Sequence, residues 1–220
     1  MKYKHRWISG DPINLPVGKV VCVGRNYAAH IAELGNVTPE APVLFIKPTT
    51  ALMPMELPIP LPANRGEVHH EAEIALLINS KLSNASESEC AAAVLAIGIG
   101  LDLTLRDLQS QQKNKGLPWE IAKAFDNSCP LSGFVAKKHV GAFDDIEFSL
   151  SINGELKQQG HSSNMLTPIP KLLSTISQHF TLVPGDIVLT GTPEGVGPLQ
   201  PKDRLELQFN DSFVIKTTCT

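Results

Sequence analysis

The sequence His69-His70-Glu71-Ala72-Glu73-Ile74-Ala75-Leu76-Leu77-Ile78 combines an apolar strand with two acidic residues at its start. Alternate residues of a strand point to the same face, so Glu71 and Glu73 should direct their carboxylates to one place. Two adjacent carboxylates repel each other unless one is protonated or a cation lies between them. Hard divalent cations favour oxygen ligands. The pattern therefore predicts a metal site, with an exposed glutamate pair as the alternative.

A third acidic residue strengthens the metal hypothesis. Asp102 is the only charged residue in the apolar run Ala96-Ile97-Gly98-Ile99-Gly100-Leu101-Asp102-Leu103-Thr104. A carboxylate inside a buried strand is costly unless it is paired or bound to a metal. We therefore predict that Glu71, Glu73 and Asp102 form a three-carboxylate site with positions left for water and substrate.

Length and composition set the domain organisation. At 220 residues, with 42% hydrophobic residues and a mean hydropathy of -0.01, the chain fits one folded domain with a single packed core. We expect a short leading segment at residues 1–16 and one domain at residues 17–220. The net charge is -3, and no cluster of lysine and arginine resembles a surface that follows phosphates. Nucleic-acid binding is therefore not expected.

Cysteine usage and the apolar runs indicate the compartment. The four cysteines are far apart and form no C-x-x-C pair, which predicts reduced, mostly buried thiols; they are Cys22, Cys90, Cys129 and Cys219. The first ten residues lack the apolar segment of a secretory signal. The longest apolar run, residues 94–101, is too short to span a bilayer. We expect a cytoplasmic protein without a membrane partner.

The pattern along the chain predicts a mostly β, α+β fold with a few short helices. Strands are predicted at residues 19–24, 42–47, 71–78, 96–104, 146–152 and 186–190. Helices are predicted at residues 27–34, 86–95, 104–116 and 167–180, the second with a capping box at Ser86 and Glu89 and the third capped at Thr104. Hairpins are predicted at Asn153-Gly154 and Asn210-Asp211, and residues 123–132 are predicted to be irregular.

Two further groups of residues are candidates for chemistry. His30 and Glu33 are three positions apart on a predicted helix and share a face. A carboxylate beside an imidazole makes a competent general base for water, although the same spacing also suits a surface pair. Lys123 is flanked by apolar residues, and a partly buried lysine near a metal can neutralise an enolate or a carboxylate.

Other side chains are candidates for contacts to an anionic substrate. Arg106 and Gln109 share a helix face directly after Asp102, and arginine presents a planar donor fork to carboxylates; the alternative is a solvated helix face. Lys47, at the end of a strand before a proline, is a weaker candidate. The glycine-rich loop at residues 190–197 could bind an anion through its backbone amides, or it could simply connect strands tightly.

Six motifs in one order give the chain a resemblance to the fumarylacetoacetate hydrolase family. It resembles most the short acylpyruvate hydrolase and oxaloacetate decarboxylase branch. The matching segments are VGRNYAAHIAE at 23–33, LFIKP at 44–48, VHHEAE at 68–73, DLTLRDLQ at 102–109, KAFD at 123–126 and LTGTPEGVG at 189–197. They extend from about residue 17 to the C-terminus.

The resemblance implies a rolled mixed sheet, a homodimer and a site for Mg2+ or Mn2+. It implies Glu71, Glu73 and Asp102 as metal ligands, and His30 and Glu33 as the pair that activates water. It also places six residues around a small 2-oxo acid substrate, namely Arg25, Lys47, Arg106, Gln109, Lys123 and Thr192.

The resemblance ranks several reactions on this one site. The first is hydrolysis of the C–C bond of acylpyruvates, which yields pyruvate and a carboxylic acid. The alternatives are decarboxylation or tautomerisation of oxaloacetate, and isomerisation or decarboxylation of unsaturated dioic acids in aromatic catabolism. A metal-stabilised binding protein is a further alternative, but it would not need His30 and Glu33 together near the metal.

Overall fold

The computed structural model describes residues 3–33, 35, 37 and 41–220. Its helices are α1 Ala28–Glu33, α2 Glu87–Ala93, α3 Arg106–Lys115, α4 Glu120–Lys123 and α5 Ile169–His179. Its strands are β1 Val20–Val23, β2 Leu44–Lys47, β3 Leu52–Pro54, β4 Val68–His70, β5 Ala72–Ile78, β6 Val94–Leu101, β7 Thr104–Leu105, β8 Cys129–Leu131, β9 Val135–Ala136, β10 Glu147–Ile152, β11 Glu155–His161, β12 Ile187–Leu189, β13 Gly197–Pro198, β14 Arg204–Phe209 and β15 Phe213–Thr218. The fold is mostly strands with a few helices, as predicted. The first helix was predicted to end at Leu34, which lies outside the described residues. Among the described helices, none is long and apolar enough to cross a membrane.

The largest sheet contains β5, the apolar strand that follows Glu71. Its order is β2-β1-β12-β5-β6-β8-β3, with β9 paired to β6. β1 and β12 run parallel, whereas β5 pairs antiparallel with both β12 and β6, so the sheet is mixed. Successive side chains of β5 enter two hydrophobic clusters: Ile74 and Leu76 lie in one, and Ala75 and Leu77 in the other. Burial of both faces explains why this strand is apolar without alternation.

A second sheet, with the order β11-β10-β14-β15, covers one side of the first cluster. Its inward side chains include Phe148, Leu150 and Leu207, and they alternate with more exposed residues. The turn Asn153-Gly154 has φ angles of 54° and 86°. Two positive φ angles suit a two-residue type I′ hairpin, so the predicted hairpin is confirmed.

A small third sheet, with the order β13-β4-β7, adjoins the largest one at two strand breaks. β4 ends at His70 and β5 begins at Ala72, so Glu71 lies in the first break. β6 ends at Leu101 and β7 begins at Thr104, so Asp102 lies in the second break. The Asp102 N–H donates to the Glu71 carbonyl at 2.8 Å, which places the two breaks side by side. The prediction of one strand over residues 96–104 was therefore wrong, because the chain changes sheets at Asp102, and the strand predicted at 71–78 begins one residue later, at Ala72.

Local signals placed the helix ends with mixed success. The capping box of Ser86 and Glu89 is present, and Gly116 ends α3 with a φ of 63°. The predicted cap at Thr104 was wrong, because its hydroxyl donates to the Asp102 carbonyl at 3.0 Å and α3 begins two residues later. Residues 123–132, predicted to be irregular, contain β8. That strand of three residues exists through its pairing with β3 and β6, which no local pattern announces.

The leading segment packs against the body of the protein. Tyr3 and Ile13 are buried in the second hydrophobic cluster. The Ile8 N–H donates to the Phe134 carbonyl at 2.9 Å, and the Phe134 N–H donates to the Arg6 carbonyl at 2.9 Å. Residues 3–16 therefore behave as a strap over the largest sheet.

The four cysteines should be unreactive in the folded protein. All are free and buried, and burial raises the pKa of Cys129 and of Cys219 to about 12. Because thiolate is the reactive form, a raised pKa slows reaction at pH 8 in addition to steric protection. We expect dithionitrobenzoate to titrate no thiol of the native protein within minutes and all four in guanidinium chloride. Rapid release of one equivalent from the native protein would contradict this expectation.

Candidate metal centre and active site

Three acidic side chains converge beside the two strand breaks. Glu71, Glu73 and Asp102 each offer a carboxylate oxygen, and these atoms lie within 4.8 Å of one another. All three residues are buried. The structure therefore brings together the three residues that the sequence predicted as metal ligands. Glu73 lies within β5, and the breaks turn the other two carboxylates toward it.

Three cationic side chains surround the carboxylates. The Lys123 ammonium lies 2.7 Å from Glu71 Oε2 and 2.6 Å from Asp102 Oδ2. Lys47 Nζ lies 2.7 Å from Asp102 Oδ1, and Arg106 Nη2 pairs with Glu71 Oε1. The exposures of Lys47 and Lys123 are 0% and 1%. Buried charges of this kind are tolerated only with close partners of opposite sign, so each group depends on the others.

The electrostatics of the cluster divide the acidic groups into two kinds. Burial opposes ionisation of Glu71, but Lys123, Arg106 and His30 together hold its pKa below the usual range. Burial, followed by the negative charges of Asp102 and Glu71, raises the pKa of Glu73 well above its ordinary value. The Gly191 N–H donates to Glu73 Oε2 at 2.7 Å but does not offset these effects. The positive charge near Glu73 is therefore too small to balance its burial and the neighbouring carboxylates.

Lys123 stays charged in this environment. Burial lowers the pKa of its ammonium, but the charges of Asp102 and Glu71 outweigh burial and raise it above the ordinary value. A lysine held in this way is a donor of hydrogen bonds and a fixed positive charge. It does not serve as a base.

The donor set fits a divalent cation. Its three members are carboxylates, the oxygen ligands that hard divalent cations prefer. A cation would also supply the positive charge that Glu73 lacks and take the place of its proton. The arrangement thus suggests a divalent metal held by Glu71, Glu73 and Asp102.

His30 and Glu33 meet beside this centre on the short helix α1. His30 Nδ1 lies 3.3 Å from Glu33 Oε2, and the imidazole is buried. Burial lowers the pKa of His30 despite the opposing charges of Glu71 and Glu33, so the ring is neutral at pH 7. A carboxylate acceptor at Nδ1 favours the tautomer with its proton there, which leaves Nε2 free to accept a proton.

The glycine-rich loop at residues 190–197 binds carboxylates of the chain itself. Gly191 N–H donates to Glu73 Oε2 at 2.7 Å, and Gly195 N–H donates to Glu33 Oε1 at 3.0 Å. Gly191 has a φ of 99°, and a Cβ there would lie 2.8 Å from Asn26 Cβ, so glycine is required. These two amides therefore orient the Glu73 carboxylate and the carboxylate beside His30, whereas anion binding by the other amides of the loop stays a prediction.

The hydroxyl of Thr192 is engaged within the protein. It donates to the Ala72 carbonyl at 2.8 Å and accepts from Gln158 Nε2 at 2.8 Å. Its only hydrogen is thereby committed, so the Thr192 hydroxyl has no hydrogen left to donate to a substrate, and the substrate contact at Thr192 stays a prediction. The Thr192 side chain therefore connects the glycine-rich loop to the start of β5.

The predicted substrate residues on α3 lie at the rim of the centre. Arg106 Nη1 donates to Gln109 Oε1 at 2.7 Å, while Arg106 Nη2 reaches Glu71. Arg25 is half-buried, and its Nη1 donates to the Val37 carbonyl at 3.3 Å. Lys47 lies behind Asp102, where Ser128 O and Ser128 Oγ are each 3.1 Å from its ammonium. Lys47 therefore supports the position of the Asp102 carboxylate, and its predicted contact to a substrate stays a prediction.

Sequence reasoning missed three residues near the centre. Burial is the largest effect that lowers the pKa of Lys113, and the positive charges of Arg25 and Arg106 lower it further. Lys113 is therefore a further cation near this rim. Its spacing of seven from Arg106 on α3 was a usable signal. Ser128, which contacts Lys47, and Gln158, which contacts Thr192, carried no signal of this kind.

The sequence of this chain is similar to those of known proteins over most of its length. The model of the family described as fumarylacetoacetate (FAA) hydrolase C-terminal matches residues 19–219. The oxaloacetate tautomerase YcgM of Escherichia coli (strain K12) is 51% identical over 209 residues, which cover 94% of this chain and 95% of that protein. The mitochondrial oxaloacetate tautomerase FAHD1 of Bos taurus is 43% identical over 197 residues, covering 90% of this chain and 89% of the relative.

A solved structure with a ligand shares the fold. The fumarylpyruvate hydrolase of Pseudomonas aeruginosa, in complex with Mn2+ and pyruvate, superposes with a TM-score of 0.93 at 32% identity. The match covers 100% of this chain and 96% of that one. Both kinds of relative, tautomerase and hydrolase, are therefore similar to this chain over nearly its whole length.

Asp102→Asn should strongly destabilise the metal-free protein. The substitution removes the shared counter-charge of Lys47 and Lys123, and leaving such groups unpaired in a buried site costs about 3–5 kcal/mol. Urea denaturation in the presence of EDTA measures the change in free energy of unfolding. The control is Asp126→Asn at an exposed position, expected to change it by about 0.5 kcal/mol or less. Equal effects of the two substitutions would refute the ion-pair account.

Proposed function

Because the chain belongs to the fumarylacetoacetate hydrolase family, we propose that it is a divalent-metal-dependent oxaloacetate tautomerase, which interconverts the enol and keto forms. The observation that carries the proposal is the buried cluster of Glu71, Glu73 and Asp102, with the charged Lys123 and the neutral His30 beside it. The curated relatives named above are tautomerases at 51% and 43% identity. They favour this reaction over the acylpyruvate hydrolysis that the sequence ranked first.

Mg2+ is our proposed metal, with Mn2+ as a functional substitute. When bound by the three carboxylates, such a cation supplies Lewis-acid stabilisation of the negative charge that develops on the 2-oxo oxygen. The three ligands come from one protein chain and leave coordination positions for other oxygen ligands.

The rim residues suit a substrate with two carboxylates. Arg106 lies at the edge of the centre, where Nη1 donates to Gln109 and Nη2 pairs with Glu71. These contacts fix the plane of the guanidinium, and each of the two nitrogens keeps a second N–H for a substrate carboxylate. Arg25 and Lys113 add positive charge near this rim. A dicarboxylic 2-oxo acid such as oxaloacetate is thereby favoured over a neutral ketone.

Proton transfer falls to His30. In the direction from ketone to enol, its neutral Nε2 accepts a proton from the carbon next to the 2-oxo group, while Glu33 steadies the resulting imidazolium. Lys123, fixed in its charged form, donates a hydrogen bond to the enolate oxygen. This oxygen then takes a proton from a water molecule, and the His30 imidazolium gives its proton to the hydroxide that remains, which regenerates the neutral base. In the reverse direction the imidazolium returns the proton to carbon.

Hydrolysis of acylpyruvates is the second candidate. The resemblance in fold to the Pseudomonas aeruginosa fumarylpyruvate hydrolase at 32% identity supports it. In this reaction the same neutral His30 would deprotonate a water that attacks the carbonyl two carbons beyond the 2-oxo group. The C–C bond then breaks, and the pyruvate enolate leaves and is protonated. Isomerisation of unsaturated dioic acids, a homodimer and a cytoplasmic location stay predictions.

The direct test follows the ultraviolet absorbance of enol-oxaloacetate with Mg2+, purified protein and an EDTA control. We expect metal-dependent acceleration, and we expect His30→Ala to lower kcat by at least about 100-fold, the usual size of general acid–base catalysis. The matched control His139→Ala lies at an exposed position and should keep the full rate. Rapid pyruvate release from acetylpyruvate with no acceleration of the enol decay would favour the hydrolase.

The pH dependence of kcat/KM should report the buried imidazole. Burial lowers the pKa of His30, so the base stays neutral until the pH falls below the ordinary imidazole value of about 6.5. We therefore expect the acidic limb, measured at saturating Mg2+, to lie below pH 6.5 and the rate to be flat just above it. A limb centred above that value would show that His30 is not the base in this form.

A further inference from the structure

We infer that Gln158 is a positioning residue that holds Glu71 and the glycine-rich loop in place, and thereby sets metal affinity and turnover. The inference rests on the proposed function, since it assigns Gln158 to the support of the same metal centre. Gln158 lies on β11 in the second sheet, outside all six motifs, and it is 1% exposed. Its side chain connects the second sheet to the residues on either side of Glu71 and to the glycine-rich loop.

All donors and acceptors around Gln158 are consistent with one orientation of its amide. Oε1 lies 3.0 Å from Ala72 N, which can only donate. Nε2 lies 3.1 Å from the Pro193 carbonyl, which can only accept, and 2.8 Å from Thr192 Oγ1. The amide is therefore fixed with its oxygen toward β5 and its nitrogen toward the loop.

The same logic fixes the tautomer of His70. Its Nδ1 lies 2.9 Å from Gln158 Oε1, and this oxygen has no hydrogen to donate. His70 Nδ1 must therefore carry the proton and act as the donor. His70 is the residue directly before Glu71, so its side chain anchors the chain at this point to Gln158.

Gln158 thus binds both neighbours of a metal-binding carboxylate. His70 precedes Glu71 and Ala72 follows it, and Gln158 Oε1 accepts from both. The strand β12, which pairs with β5, ends at Leu189 opposite Ala75, so no β12 residue is opposite Ala72. The side chains of Gln158 and Thr192 supply hydrogen bonds to its N–H and carbonyl instead.

The nitrogen side of Gln158 acts on the loop. By binding Thr192 and Pro193 it holds the segment whose Gly191 N–H contacts Glu73 and whose Gly195 N–H contacts Glu33. The oxygen of the Gln158 amide is therefore linked to Glu71 through the residues on either side of it. Its nitrogen is linked through the loop to Glu73 and to Glu33. Partners of this kind, behind the ligands themselves, change metal affinity about 10–100-fold when removed.

The test compares Gln158→Met, which keeps the length but removes the hydrogen bonds, with Gln159→Met at the exposed neighbouring position. Mn2+ affinity is measured without substrate by the paramagnetic resonance signal of free Mn2+, and kcat and KM are measured separately. We expect Gln158→Met to weaken Mn2+ binding at least about 10-fold and to lower kcat more than it changes KM. Gln159→Met should match the wild type. Mn2+ affinity and kcat within twofold of the wild type in Gln158→Met would overturn the inference.

A second pair of variants serves if Gln158→Met does not fold. His70→Asn keeps an N–H donor near the position of Nδ1, whereas His70→Ala removes it. Retention of Mn2+ affinity by the first and its loss in the second supports the inference, and equal affinities overturn it. A wild-type protein that binds Mn2+ but does not act on oxaloacetate would refute the proposed function while leaving these comparisons valid.

Discussion

Lys123 lies between two buried acidic side chains, with its ammonium 2.7 Å from Glu71 and 2.6 Å from Asp102. Lys47 holds the second oxygen of Asp102, and Arg106 holds the second oxygen of Glu71. None of these charges is tolerable alone at this depth, because desolvation of a single ion costs several kcal/mol. The strand breaks, the loop and α4 therefore all have to be placed so that the charges meet.

The arrangement of charges in this cluster suits the binding of a cation better than it suits the conformational stability of the fold. Replacing buried ion pairs by well-packed apolar residues is often neutral or stabilising, so conformational stability alone does not explain three acids and three cations in one core. Glu73 shows the remaining imbalance, since its burial beside Asp102 and Glu71 raises its pKa. A divalent cation relieves this imbalance, and strain of this kind is expected at functional sites.

The carboxylates by themselves do not select the reaction. Tautomerisation, decarboxylation and C–C hydrolysis all pass through an enolate that the same charges stabilise, so fold and metal site are shared by enzymes of different outcome. Under the proposed function, the choice depends on what His30 deprotonates, carbon or water, and on how Arg106 and its neighbours hold the substrate. These residues lie on α1 and α3, which approach the centre from outside the largest sheet.

Sequence patterns by themselves determined the local features of this protein. The spacing of Glu71 and Glu73, the isolated charge at Asp102, the capping box at Ser86 and the turn Asn153-Gly154 all express preferences between residues close in the chain, and each appears in the structure. Only the tertiary structure decided which long-range partners meet. Lys123 and Glu71 are 52 residues apart, Gln158 and Ala72 are 86 apart, and Gly191 and Glu73 are 118 apart. The physical reason is that a backbone preference acts within a few residues, whereas a hydrogen bond between buried side chains exists only after separate sheets have packed and excluded water.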